Sequence, residues 1–372
     1  MSIKESLKII VEKINFKNIN FNIINKNIQK LVKIHNLLQF IWNQFDNIIF
    51  HVINIDIGSK EYTDIMNKLK KSMFSQYKKF KELINQEPKY LKKISYSNIN
   101  FYYIFDSEEQ FKRDIEYIIY LFKISLCLRL FKIQNDVIIR EIIWYPIFAE
   151  RNFGFNEIND RNLEECVNNF EAFTASGVTY GNNPRITIVT RYEEAMKLLI
   201  HELIHNYYID GSCYHDELQD IISKYKNIKN LQNYDYEYSI YESYTELVAS
   251  YLTLLFLNID LTGETLKEKL LSQIILELLY SYNTIANLAI LSNIGNLDDE
   301  IIFKGDICIY EYYYIKGLMY NNFELIFGHK LDEFKKIYQN IIKMINNINA
   351  DKLLKNIFVV YVKQNNFKYM LH

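Results

Sequence analysis

The chain has 372 residues, 49% of them hydrophobic and 15% aromatic, which is too apolar for an intrinsically disordered protein. Only 10 Gly and 3 Pro argue against collagenous, linker-rich and turn-dense all-β architectures and make long helices the default. With 43 basic and 45 acidic residues the formal charge is −2, which argues against a general nucleic-acid binder.

Residues 1–135 carry apolar side chains at helical spacing, such as Ile9, Ile10 and Ile14 and later Ile115, Ile118, Ile119 and Phe122, and this predicts a helical N-terminal region. Its first residues interleave charge with apolar positions and lack the apolar block of a secretory signal. Cys127, Cys166, Cys213 and Cys308 are too widely spaced for a CxxC zinc or redox site or a dense disulfide framework, so reduced thiols and a cytoplasmic setting are expected. The first 100 residues hold 17 Lys against 8 acids, whereas residues 201–300 hold 5 Lys against 16 acids. The basic stretch is expected to be mainly a solvated helix surface, with an anionic partner as the lesser reading.

Near Val137 the texture changes to a β-branched and aromatic run ending at Tyr145, and Pro146 argues against a helix through it. After an acidic segment, residues 159–171, the runs Ser176 to Tyr180 and Arg185 to Thr190 flank Gly181-Asn182-Asn183-Pro184 and predict a hairpin. Ile186 and Ile188 alternate with Thr187 and Val189, so one buried face is expected, with the second run as a sheet edge. Thr190 followed by Glu193 reads as a capping box for a helix over 191–208, with Gly211 as its stop. A second helix is expected over 240–258 and several more over 263–372. The uncharged run Leu278 to Leu297 contains Asn283, Asn287, Asn293 and Asn296, so no transmembrane helix is predicted. With strands confined to the middle, the class is α+β, predominantly helical, with a small sheet. The organisation is a helical region 1–135, a core 136–260 and a helical subdomain 261–372.

The predicted helix before Gly211 contains His201-Glu202-Leu203-Ile204-His205. Histidines at i and i+4 share one helix face and can reach a single Zn²⁺, while Glu202 lies about 100° round the helix, suited to activate water and not to ligate. Chance occurrence of this pattern at this His content is about one in a hundred. An HExxHxxGxxH site is excluded because position 208 is Tyr and position 211 is Gly. Asp210, His215 and Asp216 follow nearby, but the stronger source of a third ligand is the apolar helix Tyr241-Glu242-Ser243-Tyr244-Thr245-Glu246-Leu247-Val248-Ala249, which carries carboxylates at i and i+4. A buried carboxylate is costly unless paired or bound to metal.

HELIH followed 37 residues later by Glu242 resembles the gluzincin class of zinc metallopeptidases. The run Glu242 to Ala249 is similar to the third-ligand helix of anthrax-lethal-factor-like peptidases, which implies Glu242 as the ligand. An alternative alignment sets Thr245 to Tyr251 beside the NEGFASY segment of zinc aminopeptidases and implies Glu246 instead. Ser176 to Thr179, Arg191 to Glu194, HELIH with Asp210 behind it, and the YESYTE helix also resemble uncharacterised metallopeptidases of large DNA viruses. That resemblance covers roughly residues 137 to 260, extended by Tyr312 to Lys316, and implies a virion-associated or cytoplasmic protein.

The sequence therefore leads to a zincin-like peptidase with one Zn²⁺ per chain, held by His201, His205 and Glu242. Glu202 would be its general base, and Glu246 or Asp210 would orient a ligand imidazole. Tyr234, Tyr236 and Tyr238 are candidate oxyanion donors, Tyr236 foremost. The expected partner is a peptide or protein substrate, without specific nucleic-acid binding. The rival is a noncatalytic zinc-binding virion or host-interaction protein.

Overall fold

The computed structural model describes residues 19–86, 89–132, 138–148, 177–181, 184–228, 240–291 and 310–346. Among these residues the chain is mostly helical. Ten α-helices are described: α1 Phe21–Gln44, α2 Lys60–Lys70, α3 Lys78–Asn85, α4 Glu108–Leu128, α5 Ala195–Asn206, α6 His215–Ile228, α7 Ile240–Leu257, α8 Gly263–Leu291, α9 Lys316–Asn322 and α10 Leu331–Asn346. One mixed sheet contains six strands: β1 Val52–Ile55, β2 Tyr90–Tyr96, β3 Ile99–Phe105, β4 Arg140–Ile147, β5 Gly177–Tyr180 and β6 Arg185–Arg191.

The strand order is β1-β2-β3-β4-β6-β5, with β3, β4 and β6 parallel and the remaining pairs antiparallel. Three of the six strands precede residue 135, so the expectation that strands are confined to the middle of the chain, behind a helical N-terminal region, is corrected. The pairing of β3 with β4 crosses that position directly. The predicted hairpin is present as β5 and β6, with Gly177 opposite Val189 and Tyr180 opposite Ile186. Its second strand is not a sheet edge, because β6 lies between β4 and β5 and the shorter β5 takes the outer place. Pro146 sits inside β4 where the register shifts between Trp144 and Ile147, a position where a missing N–H costs the ladder little.

Helices cover both faces of this sheet, which is why its central strands are apolar at successive positions. Phe101, Tyr103, Phe105, Ile142, Trp144 and Val189 face the larger core, which includes α4, α5, α7 and α8. Tyr102, Ile104, Ile143, Tyr145 and Ile188 face a smaller core with α2 and α3. Each fully buried side chain of this size contributes roughly 1.5 to 3 kcal/mol over leaving it in water. The expectation of a single buried face on β6 is likewise corrected: Ile188 and Val189 are both buried, and Thr187 accepts a hydrogen bond from Asn206 Nδ2 at 3.0 Å.

α1 places Ile24, Ile28, Leu31, Leu38 and Trp42 on its buried face, capped by Asn20, whose side chain accepts from Ile23 N–H. Buried Asn27 donates to the Tyr251 hydroxyl and the Phe323 carbonyl and accepts from Leu325 N–H, tying α1 to α7 and to the chain beyond α9. The larger core thus draws side chains from all three stretches of the sequence. Among the described residues of the first hundred, six lysines form intramolecular ion pairs: Lys26 and Lys30 with Glu324, Lys68 with Glu141, Lys89 with Asp106, Lys92 with Glu108 and Lys93 with Glu61. Among the described residues no helix is long and apolar enough to cross a membrane. Cys127 and Cys213 are free thiols, the first buried and the second half-buried, while Cys166 and Cys308 lie outside the described residues.

Candidate metal centre

The HELIH segment occupies the last two turns of α5, and the reason lies in the sheet beneath it. β6 continues through Arg191, which pairs with Ile147, so α5 begins at Ala195 and Thr190 is a buried strand residue instead of the predicted cap. Glu194 stands at the N-cap without a side-chain capping bond, showing that tertiary pairing overrode the local capping pattern. The Thr179 hydroxyl donates to the Glu202 carbonyl at 2.9 Å and holds α5 against β5. At the other end Arg185 donates to the Asn206 carbonyl at 2.6 Å and Arg140 to Asn206 Oδ1 at 2.9 Å, placing cations at the negative end of the helix.

α5 stops at Asn206, two residues before the predicted end. Tyr208 takes the left-handed conformation at φ 59°, and Ile209 N–H reaches back to the Ile204 carbonyl at 2.9 Å, a Schellman-type reversal with Tyr where Gly is usual. The Arg185 guanidinium lies 4.1 Å from the centre of the Tyr208 ring and covers it. The reversal turns Asp210 back onto the helix. Asp210 is fully buried, with Oδ2 2.6 Å from His205 Nδ1 and Oδ1 accepting from Ser212 N–H and hydroxyl at 3.1 and 2.7 Å. The Tyr338 hydroxyl of α10 donates to the Asp210 carbonyl, and its ring meets Tyr241 and Tyr244, the neighbours of Glu242. Gly211, at φ 78°, has Phe334 so close that an added Cβ would lie 2.5 Å from the ring, so position 211 needs glycine twice over.

α7 packs across α5 and supplies the third donor. The Nε2 atoms of His201 and His205 are 3.3 Å apart, His201 Nε2 is 3.1 Å from Glu242 Oε2, and His205 Nε2 is 3.3 Å from Glu242 Oε1. A tetrahedral zinc with bonds of about 2.0 to 2.1 Å holds its ligand atoms about 3.3 to 3.4 Å apart, so two imidazoles and one carboxylate at these separations suit that ion. The three residues could hold a metal ion together.

Glu246, one turn further along α7, meets the opposite side of His201: its Oε2 is 3.3 Å from Nδ1. Each imidazole thus turns Nε2 toward Glu242 and has a carboxylate behind Nδ1, Glu246 for His201 and Asp210 for His205. Such partners fix the tautomer and ring orientation of metal-binding histidines. Burial works against charge on both rings, but the carboxylates outweigh it. Glu242 and Glu246 push His201 up to about 9, and Glu242 and Asp210 push His205 well above its ordinary value. Glu242 is held low despite its burial, by His205 and His201. A cation and a proton therefore compete for the same nitrogens.

Glu202 is buried on the side of α5 that faces β5. Burial raises its pKa, opposed by the two histidines. Gly177, the first residue of β5, leaves the space this carboxylate fills, since a Cβ there would lie 2.7 Å from Glu202 Cγ and Oε1. Gly177→Ala is expected to displace the Glu202 side chain with little loss of stability, and any activity that depends on this carboxylate is expected to fall roughly 10- to 100-fold while metal binding stays unchanged. Steady-state kinetics beside metal analysis would check this; wild-type turnover would show that the Glu202 position is unimportant.

His215 and Asp216 begin α6 and do not join the group, and Tyr234, Tyr236 and Tyr238 lie outside the described residues. Sequence reasoning gave no site role to Gly177, nor to Lys197 and Lys316, whose ammonium groups both contact Glu246 Oε1. Lys197 stands one helical turn before His201 and was detectable by that spacing; Lys316 is a lone cation within the run Tyr312 to Tyr320. Comparison of the chain with protein-family models, curated proteins and solved structures found no match.

Proposed function

We propose that the protein is a zinc-dependent peptidase in which His201, His205 and Glu242 hold the metal and Glu202 is the general base. The observation that carries this reading is the convergence of two Nε2 atoms, 3.3 Å apart, on the Glu242 carboxylate, whose Oε2 is 3.1 Å from His201 Nε2 and whose Oε1 is 3.3 Å from His205 Nε2. Zinc, when bound, supplies Lewis acidity that lowers the pKa of water and polarises a carbonyl oxygen. Glu202 takes the proton of the attacking water and passes it to the leaving amine, a role favoured by its raised pKa and by the pocket that Gly177 leaves for it. Asp210 and Glu246 keep both imidazoles aimed at the metal. β5 has no strand on its outer side among the described residues and touches Glu202 through Gly177 and Thr179, so an extended peptide laid along it would pass the base.

The test is cleavage of a mixed peptide library by the purified protein, with and without removal of metal. Cleavage that a chelator abolishes and stoichiometric zinc restores is the expected result. Cleavage that persists in fully metal-free protein would overturn the reading, and zinc binding without cleavage under any condition would favour the noncatalytic scaffold.

A further inference from the structure

We propose that Lys197 and Lys316 are positioning residues of the metal centre, which fix the Glu246 carboxylate so that it can hold the His201 ring. This rests on the zinc reading above. Glu246 Oε1 is held by both ammonium groups, by Lys197 Nζ and by Lys316 Nζ at 3.1 Å, while Oε2 faces His201 Nδ1 at 3.3 Å. One oxygen is thus reserved for the lysines and the other for the imidazole. Rotation of the carboxylate would break contacts on both.

The three partners come from separate parts of the chain. Lys197 lies on α5 one turn before His201, Glu246 lies on α7, and Lys316 opens α9 directly after the π-helical run Tyr310–Ile315. Runs of this kind are rare and gather at functional sites. Lys316 is completely buried and also lies 3.4 Å from Glu277 Oε2 on α8. A buried ammonium is expensive unless paired, and an apolar side chain would serve packing alone at position 316. What the ammonium adds is a grip on Glu246, and through it on a zinc ligand. The C-terminal stretch thereby enters the centre without supplying a ligand.

The experiment measures zinc affinity by competition with a chromogenic chelator in wild type, Lys316→Met, Glu246→Gln and the double variant, with apo-protein thermal unfolding as a folding control. Lys316→Met is expected to weaken zinc binding about 10- to 100-fold, the range for groups that orient a metal ligand. In the Glu246→Gln background the same change is expected to cost less than about 2-fold, because its route to the metal is already cut. The visible absorption bands of the Co(II)-loaded protein are expected to shift in Lys316→Met, which a loss of stability alone would not produce. Wild-type affinity in Lys316→Met, or an equal loss in both backgrounds, would overturn the proposal. Should Lys316→Met not fold, Lys197→Met, whose side chain is 36% exposed, enters the same cycle with the same expected outcomes. Wild-type protein that takes up no zinc would remove the underlying reading as well, and so separates the two failures.

Discussion

Glu202→Gln is expected to keep the fold and the zinc and to lower kcat by about 100- to 10,000-fold, the usual contribution of a general base. The amide matches the carboxylate in shape, so it still fits beside Gly177, although the change gives up the attraction of the two imidazoles. What it lacks is the ability to accept the proton of the attacking water. Because the residue is buried and not among the three grouped donors, metal content separates this outcome from simple damage to the site. The measurement is kcat on a cleavable peptide beside zinc content of the same preparation. Turnover at the wild-type rate would eliminate Glu202 as the base.

The second large effect is an ordering between two carboxylates on one helix. Glu242→Ala is expected to strip zinc so strongly that the protein is recovered nearly metal-free, since it removes one of the three proposed protein ligands. Glu246→Ala removes a group behind the ligand and is expected to cost about 10- to 100-fold in affinity. The geometry supports this order: Glu242 meets the Nε2 atoms of both histidines, whereas Glu246 meets Nδ1 of His201 alone and is otherwise engaged by lysines. Glu246→Ala also leaves the buried Lys316 ammonium and the partly exposed Lys197 ammonium without that partner, so the apo stability of this variant is expected to fall more than that of Glu242→Ala. Titration of each apo variant with zinc would check the order, and the reverse order would restore the aminopeptidase-like alignment.

The parts of this site that were legible beforehand are local ones. His201 and His205 share a helix face by spacing alone, and the pairing of Glu242 with Glu246 one turn apart marked α7 as a helix with buried charge. Which carboxylate meets which ring nitrogen depends on how α7 is rotated against α5, and no periodicity encodes that. Asp210 was within reach as a residue just past the helix, but its inward turn depends on Tyr208 adopting a positive φ, which composition disfavours.

The strands before residue 135 were hidden for two different reasons. β3, Ile99–Phe105, is apolar at nearly every position because helices cover both faces, so the period of two is absent. β2 carries Lys92 and Lys93 side by side and reads as a solvated helix surface, yet these lysines pair with Glu108 and Glu61, which lie near in space and distant in local pattern. The edge assignment of β6 failed for a related cause. A hairpin can present either strand outward, and only the parallel pairing of β6 with β4 decides it.

The central claim is that the His201, His205 and Glu242 triangle is a zinc site, and elemental analysis of the purified protein tests it most directly. Wild-type protein is expected to hold one zinc per chain, and His201→Ala and His205→Ala are each expected to lose it. Zinc bound as well by either variant as by wild type, or a wild-type protein that stays metal-free in the presence of zinc, would contradict the account.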